Sequence, residues 1–251
     1  MDQKMKVYVT GASGFLASWL VKRHLLSGKW QEAGTSVGLE GARERLTLAR
    51  ADLMEEGGFD RAIMGCHGVF HTASPAEILV PAVEGTLNVL RSCKKNPSLR
   101  RVVLTSSTSA VRARDDFDPK IPLQDESSWS SVEFCERLQG RLRNADGLEG
   151  WNMFTSMMLH SATSILVYEH EDAHGRYLCS SAELDDNELT SLLSARYPSL
   201  PIPKRSDALD IPYVEFNTSK LKSLGFKFKS IQDMFDDCIA SLVEEGHLGQ
   251  V

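Results

Sequence analysis

A short strand pattern that ends in a glycine turn and continues as a helix constrains the fold of this chain most. The stretch MKVYVTGASGFLASWLVKRHLLSG begins with β-branched residues, breaks at Gly11 and then carries apolar residues at helical spacing as far as Gly28. Gly11, Gly14 and Ala17 form a G-x-x-G-x-x-A pattern at the junction. Glycines there let the backbone N–H groups of a helix N-terminus approach a pyrophosphate. The pattern therefore predicts a dinucleotide site rather than an ordinary tight turn.

Strand and helix patterns alternate along the rest of the first half of the chain. Strands are predicted at Leu46–Leu53, Gly68–Ser74 and Arg100–Val111, and helices at Phe59–Met64 and Glu77–Asn96. Apolar strands that alternate with helices of this length are typical of a parallel sheet covered by helices on both faces. The predicted fold class is therefore α/β, with a doubly wound parallel sheet.

The second half of the chain is less regular. In Gly140–Ser164 neither the strand period nor the helix period is visible. A strand is predicted at Gly175–Ser181, a helix at Asp185–Tyr197, and a last helix in SIQDMFDDCIASLVEEG. This last helix begins with Ser230 and Asp233 placed as a capping box. Its predicted core face consists of Ile231, Met234, Phe235, Cys238, Ile239 and Leu242.

Composition and charge exclude several classes of protein. A formal net charge of -6 without a basic cluster argues against nucleic acid as a partner. No run approaches the ~18 apolar residues of a membrane span, and the N-terminus has no signal-peptide h-region, so we expect a cytoplasmic protein. The five cysteines are scattered without a C-x-x-C pair, which favours buried thiols over a disulfide or zinc framework.

Four longer stretches resemble a known family. They are VTGASGFLASWLVKRHLLSG, ADLMEEGGFDRAIMGCHGVFHTASP, VEGTLNVLRSCKKNPSLRRVVLTSS and SARYPSLPIPKR. In these stretches the chain resembles the plant branch of extended short-chain dehydrogenases. That branch includes dihydroflavonol reductases, cinnamoyl-CoA reductases and, with the most similar motifs, tetraketide α-pyrone reductases. The resemblance covers most of Met5–Gly28, Leu39–Gln139 and Ile165–Leu248.

The resemblance implies an activity and a cofactor. It implies an NADP(H)-dependent oxidoreductase that reduces a ketone or an aldehyde, with NAD as a compatible alternative cofactor. The substrate would be a small-molecule carbonyl compound of plant polyketide or phenylpropanoid metabolism, such as that of the pollen wall.

The resemblance also implies roles for single residues, in the glycine turn and after three later strand patterns. Those implied to hold the cofactor are Gly11, Ser13, Gly14, Phe15 and Leu16 at the pyrophosphate, Asp52 and Leu53 at the adenine, Thr72, Ala73 and Ser74 on the nicotinamide side, and Thr105 and Ser106 at the edge of the sheet. Ser107 matches the catalytic serine of the family, which hydrogen-bonds the substrate carbonyl. Serines that only cap a turn at the end of a strand are the alternative interpretation.

The two catalytic partners of that serine are missing. Carbonyl reduction in this family also needs a tyrosine that donates a proton to the forming alkoxide, and a lysine four residues later on the same helix face. The residues four positions after the five tyrosines are Ala12, Asp172, Ser181, Pro201 and Asn217. Since the sequence contains no Tyr-x-x-x-Lys pair, we expect catalysis to be impaired.

Other segments of the family pattern are missing as well. No strand pattern is visible in Gly28–Ala42, where the family has its second strand and an arginine for the 2′-phosphate of NADPH. We therefore divide the chain into a Rossmann-like domain over residues 1–139, with a degraded second strand, an irregular segment over residues 140–164, and a C-terminal α/β remnant of a substrate lobe over residues 165–251. The predicted fold is an incomplete Rossmann-type sheet with that remnant attached.

The irregular segment suggests a hypothesis about its origin. MFTSMMLH can be encoded so that the same bases, read two positions later, give VHIDDVA, which resembles the family stretch that precedes ILVYEH. Part of Gly140–Ser164 would then be an out-of-frame translation, from alternative splicing, pseudogene decay or an incorrect gene model. Sequencing the transcript tests the hypothesis, because codons without a hidden VHIDDVA would end it.

Several alternatives stay open on the sequence. The motif HEDAH, from His170 to His174, matches the H-E-x-x-H zinc pattern, but Gly175 follows at once and leaves little helix to hold two ligands, so we predict no metal. His71 is either a cofactor contact or a packed strand residue. The function classes are a working reductase with another acid, a non-catalytic chain that binds a dinucleotide or a partner protein, and a truncated product that does not fold stably.

Overall fold

A computed structural model describes most of the chain. The described residues are 5–27, 30–33, 42–73, 80–112, 114, 123–138, 161–181, 184, 186–201, 215–244 and 246–249. They belong to two compact units. The first unit consists of Met1–Ser106 and His160–His174, and the second of Ser107–Leu159 and Gly175–Val251.

Strands and helices alternate along most of the described chain. In chain order they are β1 (Met5–Thr10), α1 (Phe15–Ser27), β2 (Trp30–Ala33), α2 (Ala42–Arg45), α3 (Asp60–Ile63), β3 (Gly68–His71), α4 (Val80–Lys94), β4 (Arg101–Leu104), α5 (Ser109–Arg112), β5 (Leu123–Gln124), α6 (Val132–Leu138), α7 (residues 161–169), α8 (Asp186–Arg196), β6 (Glu215–Phe216), α9 (Ser219–Ser223) and α10 (Ile231–Glu244). Within the described part of the chain, each helix is too short or too polar to cross a bilayer.

The first unit contains a four-stranded parallel sheet in the order β2-β1-β3-β4. Met5 lies opposite Trp30, Thr10 opposite His71, and His71 opposite Leu104, so the carboxyl ends of β1, β3 and β4 meet at one edge. The predicted α/β, Rossmann-type fold is confirmed. The chain goes from β1 to β2 on one side and then to β3 on the other. The β1/β3 junction is therefore the topological switch point, where ligands bind in such sheets.

Burial of apolar side chains holds the helices of the first unit on this sheet. The buried residues of α1 are Leu16, Ala17, Leu20, Val21, His24 and Leu25. A second cluster joins β1 and β3 to α3 and α4 and consists of Tyr8, Phe59, Ile63, Cys66, Val69, Val89 and Cys93. Each large apolar side chain that is fully buried in this way contributes about 1.5–3 kcal/mol. The prediction of buried thiols agrees with this cluster, which contains two of the cysteines.

Helix α7 packs against the amino ends of β3 and β4. The Tyr168 ring lies beside Phe70, with ring centroids 5.2 Å apart, and it fills the space that Gly68 leaves, since a Cβ there would lie 2.3 Å from the ring. The Arg101 guanidinium of β4 donates hydrogen bonds to the Tyr168 carbonyl at 3.0 Å and the His170 carbonyl at 2.7 Å. These bonds satisfy carbonyls that a helix end otherwise leaves without intrahelical partners.

The second unit has less regular structure. Strands β5 and β6 pair in parallel, with Leu123 opposite Glu215. Val111, Leu178 and Phe216 form a small core cluster, and a further cluster of Leu189, Leu193 and Phe235 packs α8 against α10. Asp236 of α10 accepts hydrogen bonds from the Arg196 guanidinium and the Tyr197 hydroxyl at the end of α8. These contacts join the two helices by charge as well as by apolar packing.

Two predicted features of the first unit differ from the structure. The predicted strand Leu46–Leu53 is wrong. Apart from a bridge at Leu46 it is a loop that ends in an Asx turn, where the Met54 N–H donates to Asp52 Oδ1 at 2.9 Å. Gly28–Ala42, without a strand pattern, contains β2. Because β2 and β3 occupy both sides of β1, residues 46–53 cannot pair with β1 as a strand. Pairing with β1 therefore outweighs the weak local pattern.

Two later strand predictions also need correction. The strand Arg100–Val111 ends already at Leu104, because the Ala110 N–H donates to the Ser107 carbonyl at 3.0 Å and begins the turn into α5. It is also not fully buried, since Leu104 is 50% exposed. The segment Gly175–Ser181 forms no strand, and its Leu178 N–H donates to the Glu126 carboxylate at 3.1 Å. The Glu126 carboxylate thus accepts the N–H group that would otherwise donate to the carbonyl of a neighbouring strand.

The helices predicted near the end of the chain are present. Helices α8 and α10 lie where the apolar periodicity places them, and Met234, Phe235 and Cys238 are buried. The cap at Ser230 is confirmed, since the Asp233 N–H donates to its hydroxyl at 3.1 Å. Of the irregular segment only residues 161–164 are described, and these belong to α7. The domain boundaries and the out-of-frame hypothesis remain predictions.

Candidate dinucleotide site

The turn after β1 has the geometry that a phosphate cradle requires. Gly11 has a φ of +67°, and a Cβ at this position would lie 2.9 Å from the Ala73 Cα. The Gly14 N–H donates to the Gly11 carbonyl at 2.8 Å, and the Ser18 N–H donates to the Gly14 carbonyl at 2.9 Å as α1 begins. Only glycine adopts this φ without strain and also permits this close approach. The N-terminus of α1 therefore opens at the carboxyl end of β1, where an anion is stabilised.

The other residues predicted in this turn divide into exposed and buried ones. Ser13 and Gly14 are exposed and Phe15 is half-buried, whereas Leu16 and Ala17 are buried under the helix. Leu16 can therefore serve a ligand through its backbone N–H only, because its side chain belongs to the core. The small side chain of Ala17 fits the close packing of α1 on the sheet.

The loop after β3 is tied directly to the end of β1. The Thr72 hydroxyl donates to the Thr10 carbonyl at 2.7 Å, and the Thr72 and Ala73 N–H groups both donate to Thr10 Oγ1 at 3.1 Å. The structure therefore brings the predicted residues Thr72 and Ala73 beside the glycine turn. Ser74 lies outside the described residues. The sequence motifs assign no role to Thr10, although a polar residue at the end of an apolar strand is a signal for one.

The predicted adenine residues lie in a loop that α4 holds in place. The Asn88 side-chain amide donates to the Leu53 carbonyl at 2.9 Å, and a Cβ on Gly85 would lie 3.0 Å from the Leu53 Cβ. Asp52 is exposed, and its Oδ1 accepts the Met54 N–H. Asn88 is 4% exposed, so α4 fixes this loop through a buried amide that the sequence pattern did not indicate.

The residues predicted at the end of β4 are the least enclosed of the set. The Thr105 N–H donates to the His71 carbonyl at 3.0 Å and so continues the ladder of β3 and β4. Ser106, in the first unit, and Ser107, in the second, are both exposed. The structure thus places Thr105 at the same sheet edge as the glycine turn.

Comparison with known proteins identifies the family. Residues 7–132 match the model of the NAD dependent epimerase/dehydratase family. The chain belongs to this family. Tetraketide alpha-pyrone reductase 1 of Arabidopsis thaliana is 50% identical, with 100% of this chain and 99% of the relative covered. Dihydroflavonol 4-reductase of Zea mays is 31% identical, with 98% and 90% covered.

A solved structure and further relatives support the same assignment. Vestitone reductase from alfalfa, Medicago sativa, matches with a TM-score of 0.75 at 30% identity, covering 97% of this chain and 99% of that one. Cinnamoyl-CoA reductases are also among the relatives. The predicted resemblance to this branch of plant reductases is therefore confirmed.

The comparison also measures how much interior sequence the chain lacks. The alignment with the Arabidopsis relative extends over 326 positions, whereas this family member has 251 residues. The difference, 326 − 251, leaves at least 75 positions without a residue in this chain. Because the alignment takes in 99% of the relative, most of these positions lie inside the aligned range. The expectation that interior family segments are absent agrees with this difference.

Four tyrosines of this family member lie in the described part of the chain. Tyr8 packs edge to face on Phe59 in the core, and Tyr168 packs on Phe70. Burial raises the pKa of both hydroxyls, which is opposite to the direction that favours a tyrosine acid. The Tyr197 hydroxyl donates to the Asp236 carboxylate of α10.

The fourth tyrosine has an ammonium group nearby, but on its ring face. Lys220 Nζ lies 4.5 Å from the centroid of the Tyr177 ring and donates to the Arg176 carbonyl at 2.9 Å. This is a cation–π contact. The tyrosine–lysine pair of the family instead places the ammonium where it lowers the pKa of the tyrosine hydroxyl.

The structure decides between the two interpretations of His71, as a cofactor contact or as a packed strand residue. His71 is 2% exposed and packs between Thr10 and Thr86, so it is a packed strand residue. HEDAH is not helical, since α7 ends before His170 and the His174 imidazole contacts the Asp172 carbonyl at 2.7 Å. The two imidazoles therefore do not lie on one helix face, as the zinc motif requires.

Proposed function

We propose that this chain binds NADP(H) at the β1/β3 junction and reduces carbonyl substrates at least about 100-fold more slowly than a complete family member. The observation that carries the proposal is an intact turn at Gly11 in a chain that has no Tyr-x-x-x-Lys pair. Loss of general-acid help alone costs ~10² to 10⁴ in rate. We further propose that the protein works in the cytoplasm.

The residues of the turn fit a dinucleotide. A Cβ on Gly11 or Gly14 would fill the turn, at 2.9 Å from the Ala73 Cα and 3.1 Å from the Gly11 carbonyl oxygen. The backbone N–H groups of Ser13 to Leu16 would hold the pyrophosphate, Asp52 and Leu53 the adenosine, and Thr72 to Ser74 the nicotinamide side. When bound, the cofactor supplies a hydride to a carbonyl carbon. The preference for NADP over NAD rests on the resemblance to the family.

The chain's own residues supply only part of what reduction needs. The Ser107 hydroxyl would donate a hydrogen bond to the substrate carbonyl and orient it. A carbonyl oxygen that becomes an alkoxide must also receive a proton, and the tyrosine that donates it in the family has no counterpart four residues before a lysine. Water would then be the proton source, which leaves the step without positioned acid catalysis.

The substrate class follows from the relatives. A ketone or aldehyde on a polyketide-derived or phenylpropanoid small molecule is the proposed class, and a tetraketide α-pyrone is the first compound to test because the Arabidopsis relative carries that name. The alignment with this relative leaves at least 75 positions without a residue in this chain, so the substrate preference is tested directly and is not carried over from the relative.

One preparation tests both parts of the proposal. Titration calorimetry with NADPH and with NADH measures binding, and the same protein is then assayed for α-pyrone reduction beside the Arabidopsis reductase. We expect saturable NADPH binding and a turnover at least about 100-fold below that of the relative. Turnover within tenfold of the relative would contradict the catalytic part, and folded protein that binds neither nucleotide would contradict the binding part.

The main alternative is a product that does not fold stably, and one observation favours it. Strand β4 pairs only with β3 among the described strands, and Leu104 at its end is 50% exposed. An open, apolar sheet edge promotes aggregation. Aggregated protein from several expression hosts, with no cooperative unfolding transition, would support this alternative against the proposed binding function.

A further inference from the structure

The Thr10 hydroxyl lies at the centre of a buried hydrogen-bond chain beneath the glycine turn. Thr10 and His71 are each 2% exposed and lie opposite one another in β1 and β3. Thr10 Oγ1 is 2.7 Å from His71 Nδ1, and His71 Nε2 is 3.2 Å from Thr86 Oγ1 in α4. The chain of side chains therefore connects two strands of the sheet with the helix that also holds the predicted adenine loop.

The direction of each hydrogen bond between Thr10, His71 and Thr86 follows from counting donors and acceptors. A threonine hydroxyl has one proton to donate and two lone pairs to accept with. The Thr72 and Ala73 N–H groups occupy both lone pairs of Thr10 Oγ1, each at 3.1 Å. The hydroxyl proton must then go to His71 Nδ1, which can accept it only if that nitrogen carries no proton. His71 is thereby fixed as the neutral tautomer with its proton on Nε2, which donates to Thr86 Oγ1.

We propose that His71, as the neutral Nε2–H tautomer, orients the Thr10 hydroxyl so that it holds the Thr72 and Ala73 amides, and that this sets the separation of the two loops that grip the dinucleotide. His71 is thus a positioning residue that acts through Thr10. The proposal rests on the proposed dinucleotide function and adds to it the residues that keep the site in shape.

The geometry at Gly11 shows why this separation matters. The Ala73 backbone comes so close to Gly11 that a Cβ there would lie 2.9 Å from the Ala73 Cα. The two N–H bonds to Thr10 hold the Ala73 loop at this distance. If Thr10 loses its hydroxyl, both amides lose their buried acceptor, and an unsatisfied buried N–H group is destabilising. The loop would then move away from the turn to find other partners.

Burial agrees with the neutral state. Removal of the ring from water lowers the pKa of His71 below its ordinary value, because the charged imidazolium loses hydration. An imidazolium would also place a second N–H against the Thr10 hydroxyl and leave the hydroxyl proton without an acceptor.

The first test needs neither a dinucleotide nor a variant that folds poorly. Long-range proton–nitrogen NMR spectra of histidine-labelled wild-type protein distinguish the two neutral tautomers from the imidazolium. We expect the His71 ring at pH 7 to show a proton on Nε2 and none on Nδ1. A proton on Nδ1 at this pH would overturn the proposal, whatever the protein binds.

The second test separates the hydroxyl from the shape of the side chain. Thr10→Val keeps the branched shape and removes the hydroxyl, whereas Thr10→Ser keeps the hydroxyl. We expect Thr10→Val to remove the hydrogen-exchange protection of the Thr72 and Ala73 amides and to raise the NADPH Kd about 10-fold or more, and Thr10→Ser to restore both to within about threefold. Protected amides in Thr10→Val would contradict the proposal.

The matched control lies on the same helix as Thr86. Ser92 is 2% exposed, as Thr10 is, and its hydroxyl donates to Asp60 Oδ1 at 2.6 Å, away from the turn. Ser92→Ala should lower stability without changing the NADPH Kd. If Thr10→Val does not fold, Thr86→Val is the second variant, because it removes only the hydrogen bond between His71 Nε2 and Thr86. It should shift the NMR signature of His71 while the protein stays folded, and an unchanged signature would count against the proposal.

The outcomes distinguish this inference from the proposed function. If wild-type protein binds no nucleotide but shows the Nε2–H tautomer and protected amides, the function fails and the hydrogen-bond chain stands. If wild-type protein binds NADPH and Thr10→Val binds it equally well, the positioning role fails and the function stands.

Discussion

The loops after β1 and after β4 leave the same edge of one parallel sheet, yet they differ in how they are held. The loop after β1 begins with a glycine at a φ of +67°, and Thr10 directly before it is tied to the loop after β3 by three hydrogen bonds of 2.7–3.1 Å. The loop after β4 begins beside a half-exposed leucine, and the two serines that follow it are exposed.

This difference has a physical origin in where the partners of each loop come from. The partners beside the first loop, Thr72 and Ala73, directly follow β3 in the same half of the chain. In the family, the partners of the second loop include the tyrosine and lysine of a later helix, and this chain lacks that pair. A loop whose contacts come from nearby segments keeps them when distant segments are lost. A group of side chains that comes from several segments does not stay complete.

The largest expected effect comes from the glycine of the first loop. Gly11→Ala places a Cβ against the Ala73 backbone and forces alanine into a φ of +67°, so we expect the free energy of unfolding to fall by about 3 kcal/mol and NADPH binding to be lost. Urea denaturation and calorimetry measure the two effects. Gly65→Ala is the matched control, because Gly65 has a φ of +75° and open space around it. Gly65→Ala should lower the free energy of unfolding by about 1 kcal/mol and leave NADPH binding unchanged. An equal loss of stability in the two variants would show that the close approach of Ala73 to Gly11 does not matter.

The helix that carries the first loop should make stability depend on pH. His24 of α1 is buried against Phe70, with ring centroids 5.0 Å apart, and burial lowers the pKa of His24 from 6.5 to about 4. Below pH 6.5 the unfolded chain takes up a proton that the folded chain does not. The free energy of unfolding should therefore fall as the pH decreases from 6.5 to 4, by about 3 kcal/mol in total. His71, whose pKa burial also lowers, contributes in the same direction.

Urea denaturation at intervals between pH 7 and pH 4 measures this slope. His24→Leu should flatten it, because the variant has no imidazole to protonate in the unfolded state. A wild-type slope that persists in His24→Leu would assign the pH dependence to other groups.

The contact of α7 with β4 gives the next effect. Arg101→Met removes the donors to the carbonyls at the end of α7, and we expect the free energy of unfolding to fall by about 2 kcal/mol. The NADPH Kd should stay within about twofold, since the helix packs at the amino end of the sheet. The exposed neighbour Arg100 is the control, and Arg100→Met should cost less than about 0.5 kcal/mol. A tenfold loss of binding in Arg101→Met would show that the two ends of the sheet are coupled.

The smallest effect is expected at the serine of the second loop. Ser107→Ala should leave the NADPH Kd within about twofold and lower the residual turnover by less than about tenfold, because the serine alone only orients the carbonyl, and the tyrosine and lysine with which it acts as a unit in the family are missing. Calorimetry and the α-pyrone assay measure both quantities. A tenfold loss of turnover in Ser107→Ala would mean that the second loop is catalytically competent and that the two loops differ less than their contacts suggest.

The sequence by itself determined those features that depend on neighbours in the chain. The turn from Gly11 to Ala17, helices α4, α8 and α10, and the cap at Ser230 all follow from local periodicity and from local hydrogen bonding. The absence of a Tyr-x-x-x-Lys pair is equally a property of the sequence. The resemblance to the plant reductases is of the same kind, because long shared motifs need no coordinates.

Only the tertiary structure decided the features that depend on distant partners. Strand β2 forms from WQEA because β1 offers an open side, while the better pattern at Leu46–Leu53 stays a loop. Thr10 meets His71, and Tyr168 meets Gly68, across at least 61 residues of chain. Local patterns measure how well a segment fits a helix or a strand. They carry no information about which distant group will lie within hydrogen-bond reach. Such distant groups hold the loops of the candidate site in position.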